Sequence, residues 1–185
     1  GDKSLSKRDF SRVIDPLTKF GVTFFPKNKK TLPLITKGTN FVRPIKYFEN
    51  RGSAQCKSSV MLAALNTQGT TIIKSKKSRN HTELLFKYLK LPIKIIKDKN
   101  YDIISIRGTK KIKPLNYKIP SDISSSAFFL VLTALSKNSK IMVKNININP
   151  TRIGLLKILK KMGIKINIKN IKNYKGEKNA DIHVS

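Results

Sequence analysis

What this sequence lacks narrows its chemistry. It has one cysteine, Cys56, in 185 residues, so it can close no internal disulfide and offers no multi-cysteine metal site; redox and zinc chemistry drop away. No apolar run approaches the roughly 20 residues a membrane-crossing helix needs; the longest spans about Ala127 to Leu135. There is also no charged-then-apolar secretory pattern at the N-terminus. A cytoplasmic setting without membrane contact is the expectation. Acidic residues are scarce too: 10 Asp+Glu stand against 39 Lys+Arg, a formal charge of +29. Such a surface would attract nucleic acid or phosphorylated metabolites. Yet only seven of the 39 are Arg, and the lysines are spread along the chain beside Ile and Asn, with no compact Arg stripe or interleaved aromatics. Backbone neutralisation needs only lysines, so nucleic acid stays open as a partner but ranks last. Solvated lysine faces are the plainer reading.

What is present is an ordinary globular share of hydrophobic residues, 39%, enough for one or two domains with a core. It is arranged as a repeat. Leu17-Thr18-Lys19-Phe20-Gly21-Val22, Tyr88-Leu89-Lys90-Leu91-Pro92-Ile93 and Leu159-Lys160-Lys161-Met162-Gly163-Ile164 share one pattern, a helix end, a breaker and a β-branched strand start, with Gly21, Pro92 and Gly163 spaced 71 apart. Ala64-Leu65-Asn66 with Thr71-Ile72-Ile73-Lys74 answers to Ala134-Leu135-Ser136 with Ile141-Met142-Val143-Lys144, 70 positions on. The chain is built from units of about seventy residues.

Periodicity gives each unit an element order. In the complete one, the spacing predicts a strand within Phe41–Phe48 interrupted by Pro44, and a helix over Ala54–Asn66 apolar on most sides. A strand at Thr70–Lys74 follows, then an amphipathic helix over Asn80–Lys90 with Leu84, Leu85, Tyr88 and Leu89 on one face. Ile93–Ile95, Tyr101–Ile106 and Leu115–Ile119 close it as strands. The later unit repeats this with Ser125–Leu135, Lys140–Asn145, Thr151–Met162, Ile164–Ile168 and Ile182–Val184. The first holds only a helix, Ser6–Phe20, and strands Val22–Phe25 and Leu32–Thr36. The fold class is therefore α/β (α+β), and a repeat entered in mid-unit suggests a piece of something longer.

Gly52-Ser53-Ala54-Gln55-Cys56-Lys57-Ser58-Ser59 opens the most apolar helix of the first half. A helix start offers unpaired N–H groups and a partial positive charge to an anion, and Ser53 adds a hydroxyl. A plain N-cap explains Ser53 equally simply. Cys56 reads as a small core residue. Lys57 is either a lysine laid along apolar surface or a phosphate-facing one.

Six stretches carry a resemblance: Gly1-Asp2-x-Ser4-Leu5-Ser6-Lys7-Arg8, Ser53-Ala54-Gln55-x-Lys57-Ser58, Leu65-Asn66-Thr67-x-Gly69, Arg79-x-His81-Thr82-Glu83, Asn149-Pro150-Thr151-Arg152-x-Gly154-Leu155 and Gly176-Glu177-x-x-Ala180-Asp181. From end to end the chain resembles the 5-enolpyruvylshikimate-3-phosphate (EPSP) synthase family, in its Ser-Ala-Gln-x-Lys-Ser bacterial branch. The resemblance implies transfer of the enolpyruvyl group of phosphoenolpyruvate to the 5-hydroxyl of shikimate 3-phosphate, with release of phosphate and no cofactor or metal. It also implies a fold of βαβαββ units packed around buried parallel helices. Residues 1–117 would then be part of one enolpyruvyl transferase domain, about one and a half units, and residues 118–185 one unit of the second.

By the same resemblance, Ser53, Ala54, Gln55 and Arg79 would bind shikimate 3-phosphate, and Arg8 and Gln55 phosphoenolpyruvate. An arginine suits a carboxylate or phosphate because its planar fork of donors can engage two oxygens. The local alternatives are concrete. Arg8 could be a surface residue in a helical turn starting at Ser6, with Asp9 closing a capping box; Arg79 could anchor its loop; His81 reads as a capping-region residue rather than an acid or base. Departures exist: Asp9-Phe10 follows Arg8 where relatives often have Pro-Met, and Ser121-Asp122-Ile123 lacks the Gly and Pro of the usual turn, leaving the cap to Ser124 or Ser125. The family's main acid and base residues have no counterparts here, so catalytic residues are unassigned and the chain alone is expected not to turn over. Enolpyruvyl transfer to a nucleotide sugar is the alternative enzyme reading. The full-length protein is expected to be monomeric, and this chain to self-associate through exposed faces.

Overall fold

The computed structural model describes residues 2–185, which form two compact units, divided between Lys113 and Pro114. The first opens with α1 (Lys3–Ser6), α2 (Ser11–Lys19) and an antiparallel pair, β1 (Thr23–Phe25) and β2 (Ile35–Lys37). A βαβαββ run follows: β3 (Lys46–Glu49), α3 (Ala54–Leu65), β4 (Thr70–Lys76), α4 (His81–Tyr88), β5 (Ile93–Lys97) and β6 (Tyr101–Arg107). Its sheet has the order β3-β4-β6-β5, with β3 parallel to β4 and the other pairs antiparallel. β3 begins only after Pro44, which has no N–H to give a ladder.

The second unit repeats the run with α5 (Ile123–Leu135), β7 (Ile141–Asn147), α6 (Gly154–Lys161), β8 (Ile166–Tyr174) and β9 (Glu177–Val184). Its sheet order β7-β9-β8 matches β4-β6-β5, the last strand again lying in the middle. Ser121 bridges Ile146 in parallel where β3 pairs with β4 in the first unit. The seventy-residue repeat is thus a repeat of topology.

Each unit has its own core. In the first, Val60, Met61, Ala64 and Leu65 of α3 meet Ile73, Ile104 and Ile106 of the sheet, with Phe20, Phe86 and Leu91. In the second, Ile123 and Leu130 of α5 meet Ile146, Ile166, Ile182 and Val184, with Leu156 and Leu159 of α6.

Several expectations need correction. Leu115–Ile119 forms no strand. The helix over Ser6–Phe20 is broken, for reasons given below. α3 is buried or half-buried on most sides, as its apolar pattern predicts, but Gln55 and Leu62 form an exposed strip, with Leu62 56% exposed. α4 buries Glu83 and Phe86, while Tyr88 is exposed; the apolar pattern missed a helix whose inward face includes a charge. α5 is capped not by Ser124 or Ser125 but by Asp122, whose carboxylate accepts from the Ser125 N–H at 3.0 Å.

Candidate functional site

The site begins with the break between α1 and α2. The Asp9 carboxylate accepts the Ser11 N–H at 2.6 Å, and the Phe10 N–H goes to the Lys30 carbonyl at 2.7 Å. Neither donor is left for a helical ladder, so the chain bends at Arg8. The Ser11 hydrogen bonds, then Lys30 and Arg51, hold the Asp9 carboxyl below its ordinary value. Asp9 therefore turns its carboxylate to Ser11 instead of closing a capping box at Ser6, whose N–H goes to the Asp2 carbonyl.

A proline then ties α2 to α3. Pro16 has no N–H for the carbonyl four residues back, that of Arg12. The Arg12 carbonyl instead accepts the Cys56 thiol at 3.0 Å. Cys56 is buried, as the core reading requires, and this contact sets the first turn of α3 against the first turn of α2. At the head of α3, Ser53 is the N-cap, its hydroxyl oxygen accepting the Cys56 N–H at 3.3 Å. The hydroxyl proton stays available to donate.

Ahead of that cap, the Glu49 carboxylate accepts the Arg51 N–H at 3.0 Å and Gly52 turns the chain at φ +66°. That left-handed conformation favours glycine.

These local devices line a cleft of about 820 Å³ with Arg8, Arg12, Arg51 and Gln55, together with Leu5, Asp9, Phe10, Ser11 and Val13. Three of the chain's seven arginines meet there, opposed within the lining by one carboxylate, so the cleft suits an anion with several oxygens. Arg8 and Gln55, 47 positions apart in sequence, share this wall. Ser53 and Ala54 form the adjoining helix start, while exposed Arg79, in the loop before α4, is not part of the lining. His81 is the first residue of α4, after the N-cap Asn80. Arg12 and Arg51 were not singled out in the sequence, although Arg12 stands four residues beyond Arg8 and Arg51 two before Ser53.

Lys57 does not face the cleft. Its ammonium lies 2.5 Å from the Glu83 carboxylate, both side chains at most 5% exposed. Beside it the Ser58 and Thr82 hydroxyls are 2.6 Å apart. The Lys57-Ser58 and Thr82-Glu83 pairs of two motifs thus lock α3 to α4.

The motifs of the second unit are likewise structural. Glu177 accepts from the side-chain amides of Asn147 and Asn149 at 2.7 and 3.3 Å. The Asn149 side-chain Oδ1 in turn accepts the N–H and hydroxyl of Thr151. Asp181 takes the Asn145 N–H and the Asn170 side chain, both at 2.8 Å, at irregularities in β7 and β8 where each asparagine has positive φ. Asparagine tolerates that conformation better than most residues. Arg152 pairs with Asp122 at 2.7 Å and donates to Ser124, fixing the start of α5.

Among the described residues no group of three or more His, Cys, Asp or Glu could hold a metal ion, and no helix is long and apolar enough to cross a membrane.

The family profile described as EPSP synthase (3-phosphoshikimate 1-carboxyvinyltransferase) matches residues 1–184. The 3-phosphoshikimate 1-carboxyvinyltransferase of Petrotoga mobilis is 42% identical over 187 residues, covering 100% of this chain and 42% of its own length. That of Ruthia magnifica is 42% identical over 185 residues, covering 100% and 41%. Among solved structures, EPSP synthase from Acinetobacter baumannii matches with TM-score 0.80 at 35% identity, over 100% of this chain and 41% of that one. The enolpyruvyl transferase NikO from Streptomyces tendae shares the fold at TM-score 0.60 and 15% identity, over 95% of this chain and 42% of that one. The chain therefore spans about two-fifths of the length of the relatives it matches.

Proposed function

The chain belongs to the EPSP synthase family, and from that premise we propose that it carries one wall of a site for enolpyruvyl transfer from phosphoenolpyruvate to shikimate 3-phosphate. The observation that carries this reading is the meeting of Arg8 and Gln55 in one arginine-lined cleft. In it Arg8 offers a planar fork to the carboxylate or phosphate of phosphoenolpyruvate. Gln55, able to donate and accept, stands between that group and the ring hydroxyls of shikimate 3-phosphate. Ser53 and Ala54 bring the unpaired N–H groups of the α3 start to the phosphate of shikimate 3-phosphate. Arg79 reaches the same substrate from the loop before α4. Residues 1–117 belong to one enolpyruvyl transferase domain and residues 118–185 to one unit of the second, in a cytoplasmic enzyme that is monomeric at full length.

Binding without turnover is the expected behaviour, because the relatives are more than twice as long and the cleft holds no acid and base pair. Calorimetric titration of the chain with shikimate 3-phosphate tests the reading. Binding should weaken about tenfold or more in Gln55→Ala, the loss expected when a polar contact goes missing opposite a charged ligand. Equal affinity in wild type and variant contradicts it. A nucleotide sugar that binds more tightly than shikimate 3-phosphate would move the assignment to the alternative acceptor. A coupled phosphate-release assay showing substrate-saturable activity would overturn the expectation of no turnover.

A further inference from the structure

We propose that Arg51 is a further anion contact of the cleft: it takes a phosphate or carboxylate oxygen of the ligand bound over Arg8 and Gln55, and leaves Asp15 to do so. The inference rests on the substrate-cleft reading above.

The backbone of Arg51 is built in. Its N–H is held by Glu49, which is 1% exposed at the end of β3, in register with Ser75 of β4. The left-handed turn at Gly52 and the Ser53 cap fix the other side. The base of this arginine is therefore as well placed as the helix start it precedes.

Its guanidinium is held far more loosely. The ion pair is with the Asp15 carboxylate at 3.6 Å, and both side chains are about half exposed. That separation exceeds a good hydrogen bond, and exposed pairs of this kind hold their partners weakly. The one carboxylate in the cleft lining, Asp9, is engaged by the Ser11 N–H. A ligand with two or three anionic oxygens offers Arg51 a bidentate partner that Asp15 at this distance does not, so the guanidinium moves to the ligand. Asp15 competes with the ligand for Arg51, and its removal should help binding rather than harm it.

The test is calorimetric titration of the whole 185-residue chain with shikimate 3-phosphate, phosphoenolpyruvate and inorganic phosphate, in wild type, Arg51→Gln, Arg51→Lys, Asp15→Asn and Arg8→Gln. Arg51→Gln should weaken binding of at least one of the three by about tenfold, the effect of losing one charge-assisted contact. Arg51→Lys should recover part of it, and Asp15→Asn should tighten binding about two- to fivefold. The ligand that Arg51→Gln affects most identifies the anion Arg51 holds, and an equal loss for all three assigns a general anion contact. Unchanged affinities in Arg51→Gln overturn the proposal; if Arg8→Gln still loses binding, the cleft reading survives without it. Weaker binding in Asp15→Asn overturns the competition with Asp15. No binding of any probe to the wild-type chain at millimolar concentration overturns both the proposal and the cleft reading.

Discussion

Removing one partner of the Lys57–Glu83 pair should cost more than any other single change near the cleft. At 2.5 Å and an effective dielectric of about 20, two unit charges attract by roughly 7 kcal/mol. Burying each ion costs several kcal/mol, so the pair as a whole contributes little net stability. The asymmetry appears on mutation. Lys57→Met leaves Glu83 buried with no counter-charge, and its Oε2 already has no hydrogen-bond partner; such a loss costs about 3–5 kcal/mol. A unit of this size has a total stability of only about 6–17 kcal/mol. With an m-value of about 2 kcal/mol per M, the urea midpoint should fall by roughly 2 M. Glu83→Leu should behave alike, whereas Lys57→Met/Glu83→Leu together should return close to wild type, because the charge problem leaves with both ions. Urea unfolding of the four proteins, with amide exchange at Val60 and Ile104 reporting on this unit, measures the cycle. Single variants each costing under about 1 kcal/mol, with an additive double variant, would refute the reasoning.

Two further predictions concern the second unit. Burial pushes the Asp122 carboxyl up, but the N–H and hydroxyl of Ser125, the Ser124 N–H and Arg152 outweigh it and hold the group below its ordinary 3.8; Asp181 is held below 3.8 by Asn170, the Asn145 N–H, Lys144 and His183. A depressed folded-state value means stability that is present above 3.8 and lost as pH falls through the lower folded-state values. The melting temperature of this unit should therefore drop on acidification below about pH 4, less so in Asp122→Asn/Asp181→Asn, and a drop equally steep in that variant would count against it. α5 leaves Phe128 and Leu135 79% exposed and Leu132 63% exposed, an apolar face large enough to drive association. Light scattering should give a concentration-dependent mass above 20.9 kDa that Phe128→Ser/Leu132→Ser restores to the monomer; an unaltered mass in that variant would contradict this.

The repeat and the element order were legible because they are written in hydrophobic periodicity and turn residues, which act locally. Break points that depend on distant partners were not. No local pattern announces that the Phe10 N–H will go to the Lys30 carbonyl, or that Pro16 frees the Arg12 carbonyl for Cys56. Glu83 was hidden for the same reason: a charged residue on a helix reads as outward-facing until its partner Lys57 is found across the core. Of the candidate site, Arg8 and Gln55 do share a wall, whereas Arg12 and Arg51 emerged only when the bend at Arg8 and the clamp at Glu49 brought them alongside. Much of the motif content that signals the family in the second unit, Asn149, Thr151, Glu177 and Asp181, holds turns and irregular strand positions together.

The central claim is that the arginine cleft at the start of α2 and α3 receives substrate. Backbone amide shifts of the labelled chain, followed while shikimate 3-phosphate and then phosphoenolpyruvate are added, test it most directly. The account predicts saturable shifts concentrated at Arg8, Ser11, Arg51 and Ser53 to Cys56, with the core around Ile104 unmoved. Shifts centred on another surface, or spread evenly over the lysines and abolished by salt, would contradict it.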